Sequence, residues 1–153
     1  MEIDNLRVTK LRAYLFDIIQ NLNEQYEQIN VNFLSNDINN YSLDKIPVQT
    51  EGTGWIIGNI MHRDVYNFRS RMNYSADVIS NIENIGFYEA FEKTIKQNNE
   101  NKILPDIDGI ESIECLNCGT MNNSTTNTAE FDIQIQITYR EDLSDYDMPI
   151  VSL

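Results

Sequence analysis

Two cysteines and one histidine are the residues of this sequence best suited to covalent, redox or metal chemistry. Cys115 and Cys118 form a C-x-x-C pair, a spacing typical of thiol redox sites and of half a zinc site. Redox pairs of this kind precede a helix, whereas this pair leads into Gly119 and a polar turn. A tetrahedral zinc site needs four ligands, so it would also require carboxylates or a second chain. The pattern favours two small residues near the end of a strand.

The histidine, His62, lies two residues before Asp64, so both side chains would share one face of a strand. A histidine oriented by a carboxylate can serve as the general base of an acyl-transfer reaction. The sequence places no activated serine or cysteine beside this pair, and a polar pair on the surface or in an interface is the favoured interpretation. We therefore expect no catalytic residue, no metal and no cofactor.

The chain of 153 residues has a formal net charge of -13, because 24 acidic residues outnumber 11 basic ones. Affinity for nucleic acid and for anionic membranes comes mainly from Lys and Arg, which neutralise phosphates. This balance argues against a module that binds DNA, RNA or a membrane. No apolar stretch approaches the roughly 20 residues that cross a bilayer, and residues 1–4 lack the order of a signal peptide. We expect a protein that is made and kept in the cytosol.

Two segments have the apolar spacing of amphipathic helices. In the first, the stripe consists of Leu11, Leu15, Ile18, Ile19 and Leu22. The second begins near Ser75, and its apolar residues follow in steps of three and four: Ile79, Ile82, Ile85, Tyr88, Phe91 and Ile95. We expect both stripes to cover the core, with Gly86 as a candidate kink or break. The polar residues 97–102 end the second helix.

Alternation of apolar and polar residues predicts the strands. The predicted strands lie at 29–33, 55–61, 65–72, 113–115 and 129–139. The second and third fit a hairpin or one bent strand, and the last two fit the arms of a long hairpin with a polar connection over 119–127. Residues 35–46 are rich in Asn, Asp and Ser and predict a surface loop.

The order of these elements predicts an α+β fold. We expect an antiparallel sheet, mixed at most, of about four to five strands packed against two amphipathic helices. One face of such a sheet is apolar and covered, and the other is wet or lies in an interface. Residues 1–140 are expected to form a single domain with 35–46 as an internal loop. Residues 141–153 form an acidic tail or arm with four acidic and no basic residues.

Three arginines form a local basic pattern in this acidic chain. Arg63, Arg69 and Arg71 fall on one face of the predicted strand, while Glu141 and Asp142 begin the acidic tail. Complementary patches of this kind set the register between subunits, because paired charges favour one docking and like charges penalise the others. We therefore name these five residues as a candidate subunit interface. A solvated strand face is the alternative interpretation.

Five segments follow one another along the second half of the chain. They are WIIGN at 55–59, VYNFRSR at 65–71, NIGFYEAF at 84–91, LP at 104–105 and AEFDIQIQITY at 129–139. Together, over roughly residues 50–141, they resemble the tail terminator or minor capsid proteins of tailed bacteriophages. Each segment is a packing or turn feature, so the order and spacing of the segments produce the resemblance.

The resemblance implies a structural virion protein of the tail or neck that is assembled in the cytoplasm of the host bacterium. Its subunits would form a hexameric ring that caps the tail tube protein, halts tube growth and joins the tail to the head-tail connector protein. In a contractile tail the ring also meets the sheath protein. The family implies no enzyme activity and no membrane partner.

Two other functions are open at this point. A head-tail connector or stopper would have the same size and charge, but it would dock on a twelvefold ring on the portal side. A small cytosolic thiol or acyl-transfer enzyme would depend on Cys118 and His62. The sequence favours the tail terminator over both.

Overall fold

The fold is seen in a computed structural model, which describes residues 2–22, 28–47, 55–56, 59–73, 78–117, 119–124 and 128–142. After a short 3-10 turn, its elements are α1 (Arg7–Leu22), β1 (Gln28–Val31), β2 (Asn40–Ile46), β3 (Trp55–Ile56), β4 (Asn59–Asn73), α2 (Val78–Glu100), β5 (Ile110–Cys115), β6 (Thr120–Ser124) and β7 (Thr128–Asp142). Most of the predicted tail, residues 143–153, lies outside the described residues.

The seven strands belong to one sheet, whose five main strands lie side by side in the order β1-β2-β4-β7-β5. β1 and β2 are parallel, and the other pairs are antiparallel. The short β3 pairs with the start of β4, and β6 pairs with the part of β7 that β5 leaves free. The predicted α+β class is therefore confirmed. The sheet has more strands than expected, because the loop predicted over 35–46 contains β2 and the connection predicted over 119–127 contains β6.

β4 and β7 form the longest pair, with a register that runs from Asn59 opposite Asp142 to Asn73 opposite Thr128. The hairpin or bent strand expected in 55–72 is thus one long strand preceded by β3. Because side chains alternate between the faces of a strand, one face of this pair is apolar. Its buried apolar side chains are Tyr66, Phe68, Met72, Ala129, Phe131, Ile133, Ile135, Ile137 and Tyr139. We call this face the covered face and the opposite one the open face.

Both helices contribute to the core on the covered face. The buried residues of α1 agree with its predicted stripe: Leu11, Leu15, Ile18 and Ile19. In α2, the ring of Phe91 stacks on the ring of Phe68 with 5.4 Å between the centroids, and Tyr88 and Ile95 are buried beside it. Across the residues that the structure describes, neither helix is long and apolar enough to span a membrane.

The first half of α2 departs from the prediction. Ile82 and Ile85, expected in the core, are 61% and 57% exposed, and Ile79 is exposed as well. Each step of three residues falls about 60° short of a full turn, so several such steps in succession rotate the stripe away from the sheet. The helix also runs unbroken through Gly86, the candidate kink or break in the sequence.

The segment predicted as a loop over 35–46 contains a strand, β2, which begins at Asn40. Tyr41 and Leu43 face the core and are fully buried. They alternate with Asn40 and Ser42, which are buried on the open face. The preceding segment packs beside Ser42, because the backbone N–H of Phe33 donates to its Oγ at 3.0 Å. Polar residues that favour loops are satisfied here by local hydrogen bonds, and they remain compatible with strand pairing.

A tight turn at Gly109 holds the start of β5 against the end of β7. Gly109 has a φ of 74°, a left-handed conformation that a side chain disfavours. Its carbonyl accepts a hydrogen bond from the Arg140 N–H at 2.7 Å, and a Cβ at this position would overlap the carbonyl oxygen of Arg140. Glycine is therefore required for this turn to keep its backbone position.

We expect Gly109→Ala to lower the free energy of unfolding by about 2 kcal/mol or more, because it combines an unfavourable φ with a clash against backbone. Gly86→Ala is the matched control. At this exposed position in α2 a Cβ would meet nothing within 4 Å, so the free energy of unfolding should rise by about 0.5–1 kcal/mol. Urea unfolding followed by circular dichroism measures both. Equal effects of the two substitutions would contradict the requirement at Gly109.

Candidate functional site

Three predicted interface residues, Arg63, Arg69 and Arg71, lie at alternate positions of β4 on the open face. Tyr66 and Phe68, at the intervening positions, point to the covered face and are buried. The common face of the arginines therefore follows from the strand period of two. Their role in a subunit interface stays a prediction. Within the described part of the chain Arg69 pairs with carboxylates, whereas Arg63 and Arg71 do not.

Arg69 is held inside the chain by two carboxylates. Its Nε lies 2.5 Å from Asp44 Oδ2 on β2, and its Nη1 donates to Glu130 Oε1 on β7 at 3.2 Å. Ser42 Oγ donates to the other carboxylate oxygen of Asp44 at 2.6 Å. Charge-assisted contacts of this kind are among the stronger polar interactions in proteins. Because they join three neighbouring strands, Arg69 stabilises the sheet itself.

Arg63 and Arg71 have different surroundings. The Nε of Arg71 donates to the backbone carbonyl of Ser35 at 2.8 Å, and Arg63 is exposed. Within the described part of the chain, neither arginine forms an ion pair with a carboxylate. The open face therefore offers two positive charges that another molecule could pair.

The two acidic residues of the predicted interface belong to the end of β7, so the strand continues past the boundary expected at residue 140. Glu141 follows Tyr139 by two positions and lies on the covered side, where its Oε2 is 3.1 Å from His62 Nε2. Asp142 is opposite Asn59 in the backbone register. Glu141 points away from the open face of its own sheet. An ion pair between Glu141 and the open-face arginines would therefore require two copies.

A buried charge cluster lies next to Glu141 on the covered side. Asp64 is 1% exposed and accepts a hydrogen bond from Arg7 Nε of α1 at 3.1 Å. Lys45 Nζ of β2 lies 3.8 Å from the same carboxylate oxygen. The guanidinium carbon of Arg7 is also 4.5 Å from the ring centroid of Tyr139, a cation–π contact. One carboxylate thus ties α1 and β2 to the central strands.

His62 lies at the border of this cluster. Its ring stacks on the ring of Tyr139 with 5.2 Å between the centroids, and it shares the covered side with Asp64, as its position predicted. In the described residues no serine or cysteine hydrogen-bonds to His62, and no three His, Cys, Asp or Glu side chains are grouped to hold a metal. The arrangement is suited to fixing charges in place.

Burial near Asp64 alters the acidity of its neighbours. Burial, followed by the charge of Asp64, raises the pKa of Tyr66 to about 12. The same two causes raise the pKa of Tyr139. Burial on its own would lower the pKa of Arg7, but the nearby Tyr139 and Asp64 raise it overall. The phenols therefore stay neutral and Arg7 stays charged at physiological pH.

Sequence reasoning placed His62 and Asp64 together but missed Arg7, Lys45 and Tyr139. One local signal was present. Arg7 precedes Leu11 by four residues, so a basic residue extends the buried stripe of α1 toward its N-terminus. A basic residue at such a position needs an anion, but the sequence does not specify which one.

Cys115 lies in a groove of about 490 Å³ between the second half of α2 and β5. The side chain of Asn99 of α2 reaches β5 there, and its Oδ1 accepts a hydrogen bond from the Ile113 N–H at 3.1 Å. This contact occupies one of the backbone amides at the edge of the sheet, so α2 protects that edge. The second cysteine of the predicted pair, Cys118, lies outside the described residues.

Comparison with known proteins gives no family assignment. No protein-family model matches this chain, and no curated protein matches it. Its function is therefore inferred from the open face, from the charge of the chain and from the sequence segments that resemble tail terminators.

The charge cluster predicts a large effect of one isosteric substitution. We expect Asp64→Asn to lower the free energy of unfolding by about 1–3 kcal/mol, because Arg7 and Lys45 lose their anion but still reach solvent. Asp106→Asn is the control, since Asp106 is 94% exposed in its ion pair with Lys10, and we expect a change below about 0.5 kcal/mol. Urea unfolding at neutral pH compares the two. A loss for Asp64→Asn no larger than the control would rule out a structural role.

The raised pKa of Tyr66 predicts a loss of stability in alkali. The pKa of Tyr66 is near 10 in the unfolded chain and about 12 in the folded one, so its contribution to stability is complete below pH 10. The contribution disappears as the pH rises through the folded value, because the unfolded state releases its proton first. We expect Tyr66→Phe to reduce the alkaline loss by about 2 kcal/mol. The free energy of unfolding as a function of pH measures this, and an unchanged profile would refute it.

Proposed function

We propose that this chain is the subunit of a tail terminator, a ring that caps the tail tube of a tailed bacteriophage or of a phage tail-like particle. Six copies form the ring, which halts growth of the tube and offers a surface to the head-tail connector protein. In a contractile tail the ring also meets the last layer of sheath protein. The chain is then a structural virion protein of the tail or neck, without enzyme activity.

The available arginines of the open face support this proposal most directly. The chain has 24 acidic and 11 basic residues, yet Arg63 and Arg71 pair with none of the carboxylates in its described part. A neighbouring copy brings further carboxylates, and Glu141 is one on the covered side of its sheet. Contacts between unlike faces of identical subunits repeat around an axis, and they close into a ring when the rotation permits.

The net charge fits a passage for DNA. Six copies at -13 each have a formal charge of -78 before counterions. A wall of acidic side chains repels DNA, whereas a basic wall would retain it through release of counterions. Packaged DNA would then pass through the bore without specific binding.

The central test is assembly on purified tail tubes. We expect the wild-type chain to form sixfold rings at tube ends in electron micrographs and to halt further tube growth. Arg63→Glu is expected to reduce ring formation at least about tenfold, because a like charge replaces a complementary one at the contact. Lys93→Glu makes the same change in charge at an exposed position of α2 and should leave ring formation unchanged. Unfolding midpoints confirm that both variants are folded.

The competing functions give different results in the same system. Binding to a twelvefold ring on the portal side, without binding to the tube, would indicate a connector or stopper. Turnover of a thiol or acyl substrate that is lost when His62 and Cys118 are replaced by alanine would indicate an enzyme. Either result would overturn the proposed role.

A further inference from the structure

An exposed apolar stripe occupies the start of α2. Val78, Ile82 and Ile85 stand at positions i, i+4 and i+7, so their side chains share one side of the helix. They are 68%, 61% and 57% exposed. On another side of the same helix, Asn84 Nδ2 donates to the Asn73 carbonyl at 2.7 Å and attaches this half of α2 to the end of β4. We call the three apolar residues the α2 stripe.

A second exposed apolar side chain borders the open face. Phe33 is 63% exposed. The N–H of Phe33 donates to Ser42 Oγ, which places this segment on the open-face side of the sheet. Arg71 donates to the carbonyl of Ser35, so its guanidinium lies against the same segment. We call Phe33 and Arg71 the β1 corner.

The α2 stripe and the β1 corner have opposite charges beside them. Residues 78–92 of α2 contain three glutamates and no basic residue, and Glu89 continues the α2 stripe at position i+11 from Val78. In the β1 corner, Arg71 has no carboxylate partner among the described residues. Attraction between Glu89 and Arg71 therefore favours pairing of a stripe with a corner. Two stripes would instead bring like charges together.

The geometry points to a contact between two copies of this chain, in which the α2 stripe of one copy packs on the β1 corner of the next. This inference rests on the proposed ring and names the surfaces that join its subunits. The stripe belongs to a helix on the covered side, whereas the corner belongs to the open face. When two copies pair in this way, one still has a free β1 corner and the other a free α2 stripe. Further copies can therefore add by the same contact until a ring closes.

Disulfide trapping tests the contact, because a disulfide forms only when two Cβ atoms approach to about 4 Å. Cys115→Ser and Cys118→Ser are introduced in every chain, and Ile82→Cys and Phe33→Cys are then made in separate chains. We expect a covalent dimer when the two chains are mixed and oxidised, and no such dimer from either chain alone. A single chain with both cysteines should give a ladder of covalent multimers.

The matched control uses Ile103→Cys in place of Ile82→Cys. Ile103 is an apolar residue of similar exposure outside the α2 stripe and the β1 corner. The mixed dimer should exceed this control at least about tenfold, a difference of 1.4 kcal/mol in contact free energy. A dimer of Ile82→Cys chains alone would mean that two α2 stripes face each other, and it would overturn the inference. Yields no higher than the control, with all variants folded by circular dichroism, would overturn it as well.

The proposed ring and this contact can fail separately. Sixfold rings at tube ends without trapping of Ile82→Cys by Phe33→Cys would keep the tail terminator and reject the contact. A covalent ladder from a chain that never binds tail tubes would keep the contact and reject the tail terminator.

Discussion

The pairing of β4 with β7 is the constraint on which the rest of this structure depends. The two strands stay in one antiparallel register from end to end, and the side-chain period of two then assigns every residue of both to a face. A slip by one residue would move Phe68 into solvent and Arg69 into the core. The apolar core and the charged open face are therefore two results of the same alignment.

The covered face also explains where charge is buried. Asp64 occupies a core-facing position of β4 opposite the buried Ile137, and its carboxylate is paired there with Arg7 and Lys45. A buried carboxylate is tolerated when its cations are held in place, and loss of either partner is costly. Arg7 comes from α1 and Lys45 from β2, so the cluster fixes the start of the helix against the sheet. An apolar contact alone would fix that position less specifically, because it does not depend on orientation.

Local periodicity accounts for what could be predicted from the sequence. The stripe of α1 and the alternation of 129–139 depend on neighbours along the chain, and both elements were predicted. β2 was missed because its open-face residues, Asn40 and Ser42, are polar, and their burial depends on the segment that packs beside them. The shared face of the arginines was predicted by the same period. The ion pairs that make Arg69 structural come from β2 and β7, so they required the fold.

The net charge of the chain limits how its copies can associate. Two chains at -13 repel each other at long range, and salt at physiological strength screens that repulsion beyond about 8 Å. Attraction must then come from contacts at short range. Apolar area supplies free energy without regard to orientation, whereas an arginine with no carboxylate in its own chain distinguishes one docking from another. In the proposed ring, exposed apolar side chains and available arginines therefore have complementary roles: the first provide affinity, and the second select the docking geometry.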